Sequence, residues 1–171
     1  LLRDSSVIAD EFKFDLAGYL ARQPRAAVKS LGDILDRGLN HAALDAPLRL
    51  RNAAEVKESE HYRQAFVKRR ALRAAVLATF EGQRIDALAY PTLRRKPTLI
   101  AETQAAPNNC QLSATTGLPA ISMPAGFTAD GLPIGVELLG GAFTEAALLK
   151  FAYGWEQSAR PRRPPTRTPA L

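Results

Sequence analysis

The chain is poor in the residues that most often carry chemistry. Of its 171 residues one is a cysteine, Cys110, and two are histidines, His41 and His61. A single cysteine excludes an internal disulfide and any cage of cysteines around zinc. Its expected role is that of a small, buried or half-buried filler. The histidines have no second ligand or carboxylate at metal spacing and read as surface residues. No apolar run approaches the roughly eighteen residues of a membrane span. The opening residues, LLRDSSVIADEF, bring in acids too early for a signal peptide, so the expected compartment is the cytoplasm. Common catalytic signatures are missing too: there is no G-x-S-x-G elbow, Walker A loop, G-x-G-x-x-G or H-E-x-x-H. Ser5, Ser6 and Ser122 lack glycine-rich surroundings and an evident partner base.

What is present describes a globular domain. An apolar fraction of 46% against 23% charged is that of a folded protein and not a disordered one. The length suits one domain with a substantial core. The net charge of +6 is concentrated at one end, where RPRRPPTRTPAL (160–171) holds four arginines and no acid. Four prolines and no interleaved aromatic make this an extended arm rather than a nucleic-acid reader.

Periodicity sets out the elements. Residues 6–22 carry Ile8, Phe12, Leu16 and Tyr19 at helical spacing. Ser30, with Asp33 in the capping-box position, starts a second helix facing inward through Leu31, Ile34, Leu35 and Leu39. Residues 40–54 are less regular, and Pro47 argues for a connection. A long helix is expected over 56–81, with Tyr62, Phe66, Leu72, Val76 and Phe80 on its apolar side. Its Lys68-Arg69-Arg70 reads as a solvated or salt-bridged face. RIDALAYPT (84–92) reads as a buried strand, with Asp86 at its solvent-facing start, and the RRKP after it as a charged loop. PNNCQLSATT (107–116) is a short helix with Pro107 near its start, stopped by Gly117.

The segment GLPAISMPAGFTADGLPIGVELLG (117–140) has two Gly-Leu-Pro triplets and an Asp-Gly between apolar runs. It predicts strands over 119–126 and 133–139, each opened by proline and joined by a TADG turn. Pro124 marks a bulge or an edge. Thr144 is placed as the cap of a last helix whose Leu148, Leu149, Ala152 and Trp155 face the sheet. No linker divides the chain.

The run CQLSATTGLPAISMPAGFTADGLPIGVELLGGAFTEAALLKFAYGWEQ resembles the C-terminal signature of the amidase signature family. The likeness lies in GLPA-x-S-x-PAGF, the DGLP-x-G strand and the F-x-E-x-x-LL helix, in that order. IDALAYPT is similar to the strand that precedes them, and EFKFDLAGYLA and VKSLGDIL to middle helices of the family. The resemblance implies an α/β fold, a mixed β-sheet covered by α-helices. It implies residues 1–159 as the C-terminal portion of an amidase domain and 160–171 as an arm. It also implies amide C–N hydrolysis through a nucleophilic serine, a cis-serine and a lysine, with backbone N–H groups stabilising the oxyanion.

The family carries that lysine and both serines in an N-terminal Gly/Ser-rich signature, and no such string occurs here. No residue is therefore assigned a catalytic, cofactor-binding or metal role, no cofactor is expected, and the chain alone is expected to be inactive. The implied partners are a small-molecule amide and the N-terminal portion of the same amidase, with a homodimer allowed and neither membrane nor nucleic acid expected. The loop after Tyr90-Pro91-Thr92 and the helix bearing Asn109, Gln111 and Ser113 are candidates for a substrate-pocket wall. Two other readings stay open: a basic nucleic-acid-binding module, and a non-catalytic scaffold that keeps the family's sheet.

Overall fold

The computed structural model describes residues 2–97, 99 and 109–165. The chain forms two compact units, Leu1–Ala71 and Leu72–Leu171. The division falls inside a continuous helix and not at a linker, and each unit has its own packing.

The first unit holds α1 (Ile8–Ala21), α2 (Leu31–Asp36), α3 (Asp45–Asn52) and the N-terminal half of α4 (Glu60–Gln83). The capping box of α2 forms as expected: Ser30 Oγ accepts from the Asp33 backbone N–H at 3.0 Å. The Asp33 carboxylate in turn accepts from the Lys29 N–H at 2.6 Å. Leu31 and Leu35 are buried, but the helix stops at Asp36 and leaves Leu39 exposed beyond it. Pro47 does not mark a connection. It sits at the third position of α3, where its missing N–H is one of the helix's unsatisfied donors in any case.

The apolar stripe expected to bury on α1 faces outward at both ends, with Ile8 51% and Tyr19 54% exposed. The buried side instead carries Asp10 and Leu20. Polar pinning explains the rotation. Asp10 accepts from Ser59 Oγ at 2.6 Å and meets His61 Nδ1 at 2.9 Å. Ser59 also caps α4, accepting from the Tyr62 N–H at 3.0 Å. One serine thus ties the start of α4 to α1, and it starts that helix at Glu60 rather than at 56. Tyr62 Oη donates to Glu11 at 3.1 Å, and Lys57 pairs with Asp15. Lys68 pairs with Asp4, while Arg69 lies over the Phe66 ring, so this basic run is engaged within its own unit.

The second unit contains the rest of α4, β1 (Ala87–Pro91), α5 (Gln111–Thr116), β2 (Ala120–Phe127), β3 (Pro133–Gly140) and α6 (Glu145–Ala159). Its three strands are ordered β1-β3-β2 and all pair antiparallel. Alternation along the strands separates two faces. Leu88, Tyr90, Glu137 and Leu139 belong to one, where Leu139, Val76, Phe80 and Leu118 form the core with Leu72, Leu77, Ile85 and Leu112 around them. α6 packs on β2 and β3, with Leu148 buried.

The hairpin forms as the sequence predicts. Gly131 has φ 82°, the left-handed value that its turn position requires. Thr128 closes the turn by donating its N–H to the Leu132 carbonyl at 2.8 Å. The register shifts between Pro124 and Gly126, which is the bulge that Pro124 signals. α5 ends at Gly117 as expected but begins only at Gln111, which leaves Asn109 ahead of the helix and Cys110 at its N-cap position; Pro107 falls outside the described residues.

Four further expectations need correction. β1 is half-buried and not buried, because among the described residues it is an outer strand of the sheet. Cys110 is exposed and not a core filler. Thr144 stands at the start of α6 but does not cap it, since its hydroxyl donates back to the Gly141 carbonyl at 2.9 Å. Leu149 is 62% exposed, one position round the helix from buried Leu148. Among the described residues no helix is long and apolar enough to cross a membrane.

Two substitutions check these units separately. Leu139→Ala, at a side chain with no exposed surface, is expected to lower unfolding stability by about 2–5 kcal/mol in a denaturant titration. Ser59→Ala removes a helix cap and a bond to a buried carboxylate, with an expected cost of about 1–2 kcal/mol. Burial raises the Asp10 pKa, but the bonds from Ser59 and His61 outweigh it and hold the carboxyl below its ordinary value. The stability from Asp10 is therefore complete above pH ~4 and lost as pH falls through the lowered value. The Ser59→Ala deficit should accordingly shrink in unfolding curves taken at pH 2–3.

Candidate functional site

The chemistry-bearing side chains of the second unit gather where β1 ends against β3. Antiparallel register sets Tyr90, Glu137 and Ser122 directly opposite one another across three strands, so all three belong to one face. Glu137 is only 4% exposed. Its carboxylate accepts from Tyr90 Oη at 2.8 Å, and the Cys110 thiol lies near enough to feel its charge. Burial, followed by the bond to Glu137 and its charge, pushes the Tyr90 phenol well above the usual tyrosine range. The Cys110 thiol is pushed up by local desolvation and by Glu137, although the residue as a whole is exposed. Both groups near the carboxylate are thereby kept protonated, and the Tyr90 phenol donates to it.

One step toward the start of β3, Thr92 Oγ1 and Ser122 Oγ share a hydrogen bond of 2.7 Å. The pair lies over Gly135, where an added Cβ would come within 2.8 Å of Thr92 Oγ1. Glycine is what lets the hydroxyls approach the sheet. Thr92 N–H donates to the Gly135 carbonyl at 2.9 Å, continuing the ladder past β1. Asn109 pins this end from outside: Asn109 Nδ2 donates to the Pro91 carbonyl at 2.7 Å and its N–H to the Thr92 carbonyl at 3.0 Å.

Of the candidate wall residues, the structure brings Tyr90, Thr92 and Asn109 together and leaves the others apart. Ser113 makes a local bond to the Cys110 carbonyl at 3.1 Å, and Gln111 is exposed at the start of α5. Ser122 does acquire a partner, but it is the Thr92 hydroxyl and not a base. Such a pair can orient a polar group, yet among the described residues nothing beside it could take a proton from a nucleophile. Glu137 escaped the sequence reading, though an acid amid the apolar residues of PIGVELLG was a visible signal. Asp10, Ser59 and His61 do not form a hydrolytic relay. Ser59 already donates to Asp10 and accepts from Tyr62, and His61 contacts the carboxylate rather than the serine. Among the described residues no group of three His, Cys, Asp or Glu side chains could hold a metal ion.

Two measurements test the Glu137 brace. Tyr90→Phe removes a donor from a buried carboxylate, with an expected loss of about 1–3 kcal/mol at pH 7. Because the folded-state pKa of Tyr90 is raised, its stabilisation is complete below pH ~10 and declines as pH rises above it, a decline that Tyr90→Phe should remove. Glu137→Gln takes away the charge that holds the thiol up, so Cys110 should be alkylated by iodoacetamide several-fold faster at pH 8.

A family model described as Amidase matches residues 7–149. The glutamyl-tRNA(Gln) amidotransferase A subunit of a Synechococcus strain is 28% identical over 182 aligned positions, covering 100% of this chain and 35% of that protein. Its counterpart in Moorella thermoacetica is 35% identical over 114 positions, covering 61% of this chain and 23% of that one. The Prochlorococcus marinus counterpart reaches 58% over 43 positions, 25% of this chain and 9% of the relative. Among solved structures, the peptide amidase of Stenotrophomonas maltophilia superposes with a TM-score of 0.74 at 26% identity, covering 96% of this chain and 34% of that enzyme. A bacterial aryl acylamidase, at 18% identity and TM-score 0.69, shares the fold. The chain thus spans about a third or less of the length of these relatives. With its GLP-rich hairpin, its order of elements and a model match over most of its length, the chain belongs to the amidase family, as a segment of the amidase signature fold.

Proposed function

We propose that this chain is the C-terminal portion of an amide hydrolase, with residues 1–159 as part of the amidase domain and 160–171 as an arm. The nucleophilic serine, cis-serine and lysine then lie upstream of Leu1. The observation that carries this reading is the asymmetry of coverage: nearly all of this chain superposes on a peptide amidase, but on only 34% of it. The site chemistry supports it, because Ser122 is paired with a hydroxyl and has no base beside it among the described residues.

In this reading the second unit supplies strands to a larger sheet, and the end of β1 supplies one wall of the substrate pocket. The Tyr90–Glu137 brace fixes the wall and the Thr92–Ser122 pair presents hydroxyls from it. The substrate is a small-molecule amide, and the partner is the N-terminal portion of the same polypeptide. The arm gives the nucleic-acid alternative little support, since Arg163 lies over the Phe127 ring at 5.0 Å and is engaged with the hairpin.

The test is ammonia release from a panel of peptide and aryl amides. The 171-residue chain alone is expected to release none, and the protein produced together with its upstream coding sequence is expected to turn over. Turnover by the chain alone, or none by the extended protein, overturns the reading.

A further inference from the structure

The turn between β3 and α6 carries the most exposed large apolar side chain among the described residues, Phe143, at 94%. Its backbone has φ 61°, a left-handed value that a bulky side chain rarely adopts. The turn is nevertheless held at both ends. Gly140 N–H donates to the Pro119 carbonyl at 2.9 Å, and Thr144 Oγ1 donates to the Gly141 carbonyl at 2.9 Å. A Cβ at Gly140 would collide with Thr144 Oγ1, so the turn packs tightly on the end of the strand. A strained backbone thus presents an aromatic ring to solvent from a fixed base. Within this chain the arrangement costs free energy and buries nothing.

α6 shows the same surplus. Leu148 is buried against the sheet, yet Leu149 and Tyr153, four positions apart, are exposed on another side, as is Ala146. Lys150 and Glu156 border this second stripe as a polar rim. A helix that is apolar on two sides is suited to lie between two layers, and the sheet supplies only one.

We propose that Phe143 and the Ala146–Leu149–Tyr153 stripe form the surface on which the upstream portion of the same amidase docks, with Phe143 as its anchor. Length identifies the occupant. Nearly all of this chain superposes on the peptide amidase, but only 34% of that enzyme has a counterpart here. A layered α/β domain covers its internal helices on both sides, and the larger, missing share of the domain is the layer that α6 lacks. An aromatic ring held rigidly in an apolar pocket is the kind of side chain that dominates such a contact. Burial of the ring then offsets the strain at its backbone.

The inference rests on the amide-hydrolase reading for the identity of the upstream portion, but its tests read exposure and stability rather than turnover. Hydroxyl-radical footprinting followed by mass spectrometry measures side-chain exposure. In the protein produced with its upstream coding sequence, Phe143, Leu149 and Tyr153 should oxidise at least tenfold more slowly than in peptides cut from it. In the 171-residue chain, Phe143 should react within about twofold of the peptide rate. Phe143→Gly gives a second readout, with opposite signs in the two proteins. Glycine relieves the left-handed backbone, so the 171-residue variant should unfold about 2–5 °C higher. In the extended protein loss of the anchor outweighs that relief, and the variant should unfold about 3 °C or more lower.

A Phe143 as reactive in the extended protein as in its peptides, or a glycine variant that is more stable there too, overturns the docking surface. So does a 171-residue chain that sediments as a dimer and becomes a monomer on Phe143→Gly, which gives the surface to a second copy. The two readings fail separately. An extended protein that hydrolyses amides with Phe143 exposed refutes the docking surface alone. One that shields Phe143 but hydrolyses no amide refutes the hydrolase reading alone.

Discussion

β3 is hydrogen-bonded on both sides, and its register governs the whole of the second unit. Because Glu137 stands opposite both Tyr90 and Ser122, a single row across the sheet carries a buried acid, its phenol donor and a hydroxyl. Two residues further along, on the same face, Leu139 is completely buried in the core. Two residues back, Gly135 gives Thr92 room to reach Ser122. A slip of one residue would turn all three positions to the other face, exposing the leucine and bringing the acid round to the side of α6. The bulge between Pro124 and Gly126 and the tight turn at Gly131 hold that register, which gives the glycines and prolines of the hairpin their purpose.

The first unit is organised by a different kind of constraint. Its decisive contacts are polar: Asp10 receives Ser59, and Ser59 caps α4. A buried carboxylate must be hydrogen-bonded, so the bonds available to Asp10 fix which side of α1 turns inward even against its apolar stripe. Ile8 and Tyr19 are left partly exposed as a result. The same logic recurs at Glu137, where phenol and thiol stay protonated beside the carboxylate. In both units a buried acid is satisfied by neutral or weakly basic donors, and its pairing ties distant stretches of chain together.

For function, the consequence is a division of labour. Among the described residues, the hydroxyls at the end of β1 pair with each other and have no base beside them. Hydroxyls at Thr92 and Ser122 stand on a strand braced by Tyr90 and Glu137, an arrangement that can orient a polar group. In the proposed reading this surface is a pocket wall, and the bond-breaking groups come from elsewhere in the fold.

Local chemistry made a good part of this legible in the sequence. The capping box at Ser30, the left-handed stop at Gly117, the Asp-Gly turn and the bulge at Pro124 depend on a few neighbouring residues, and each forms as the residues require. The GLP-rich hairpin also identified the family. Wherever the outcome depended on residues far apart in the chain, the sequence was silent or misleading. Pro47 reads as a break, yet it is tolerated in the first turn of α3, where no donor is missed. The apolar stripe of α1 gave way to a bond from Ser59, 49 positions away. Glu137 became a site residue only when Tyr90, 47 positions earlier, was laid beside it. By itself the sequence determined the strands, turns, caps and kinship, because these are set by backbone preferences within a few residues. Which faces are buried and which polar groups meet were decided by tertiary structure alone, since hydrogen bonding and close packing act across space without regard to separation along the chain.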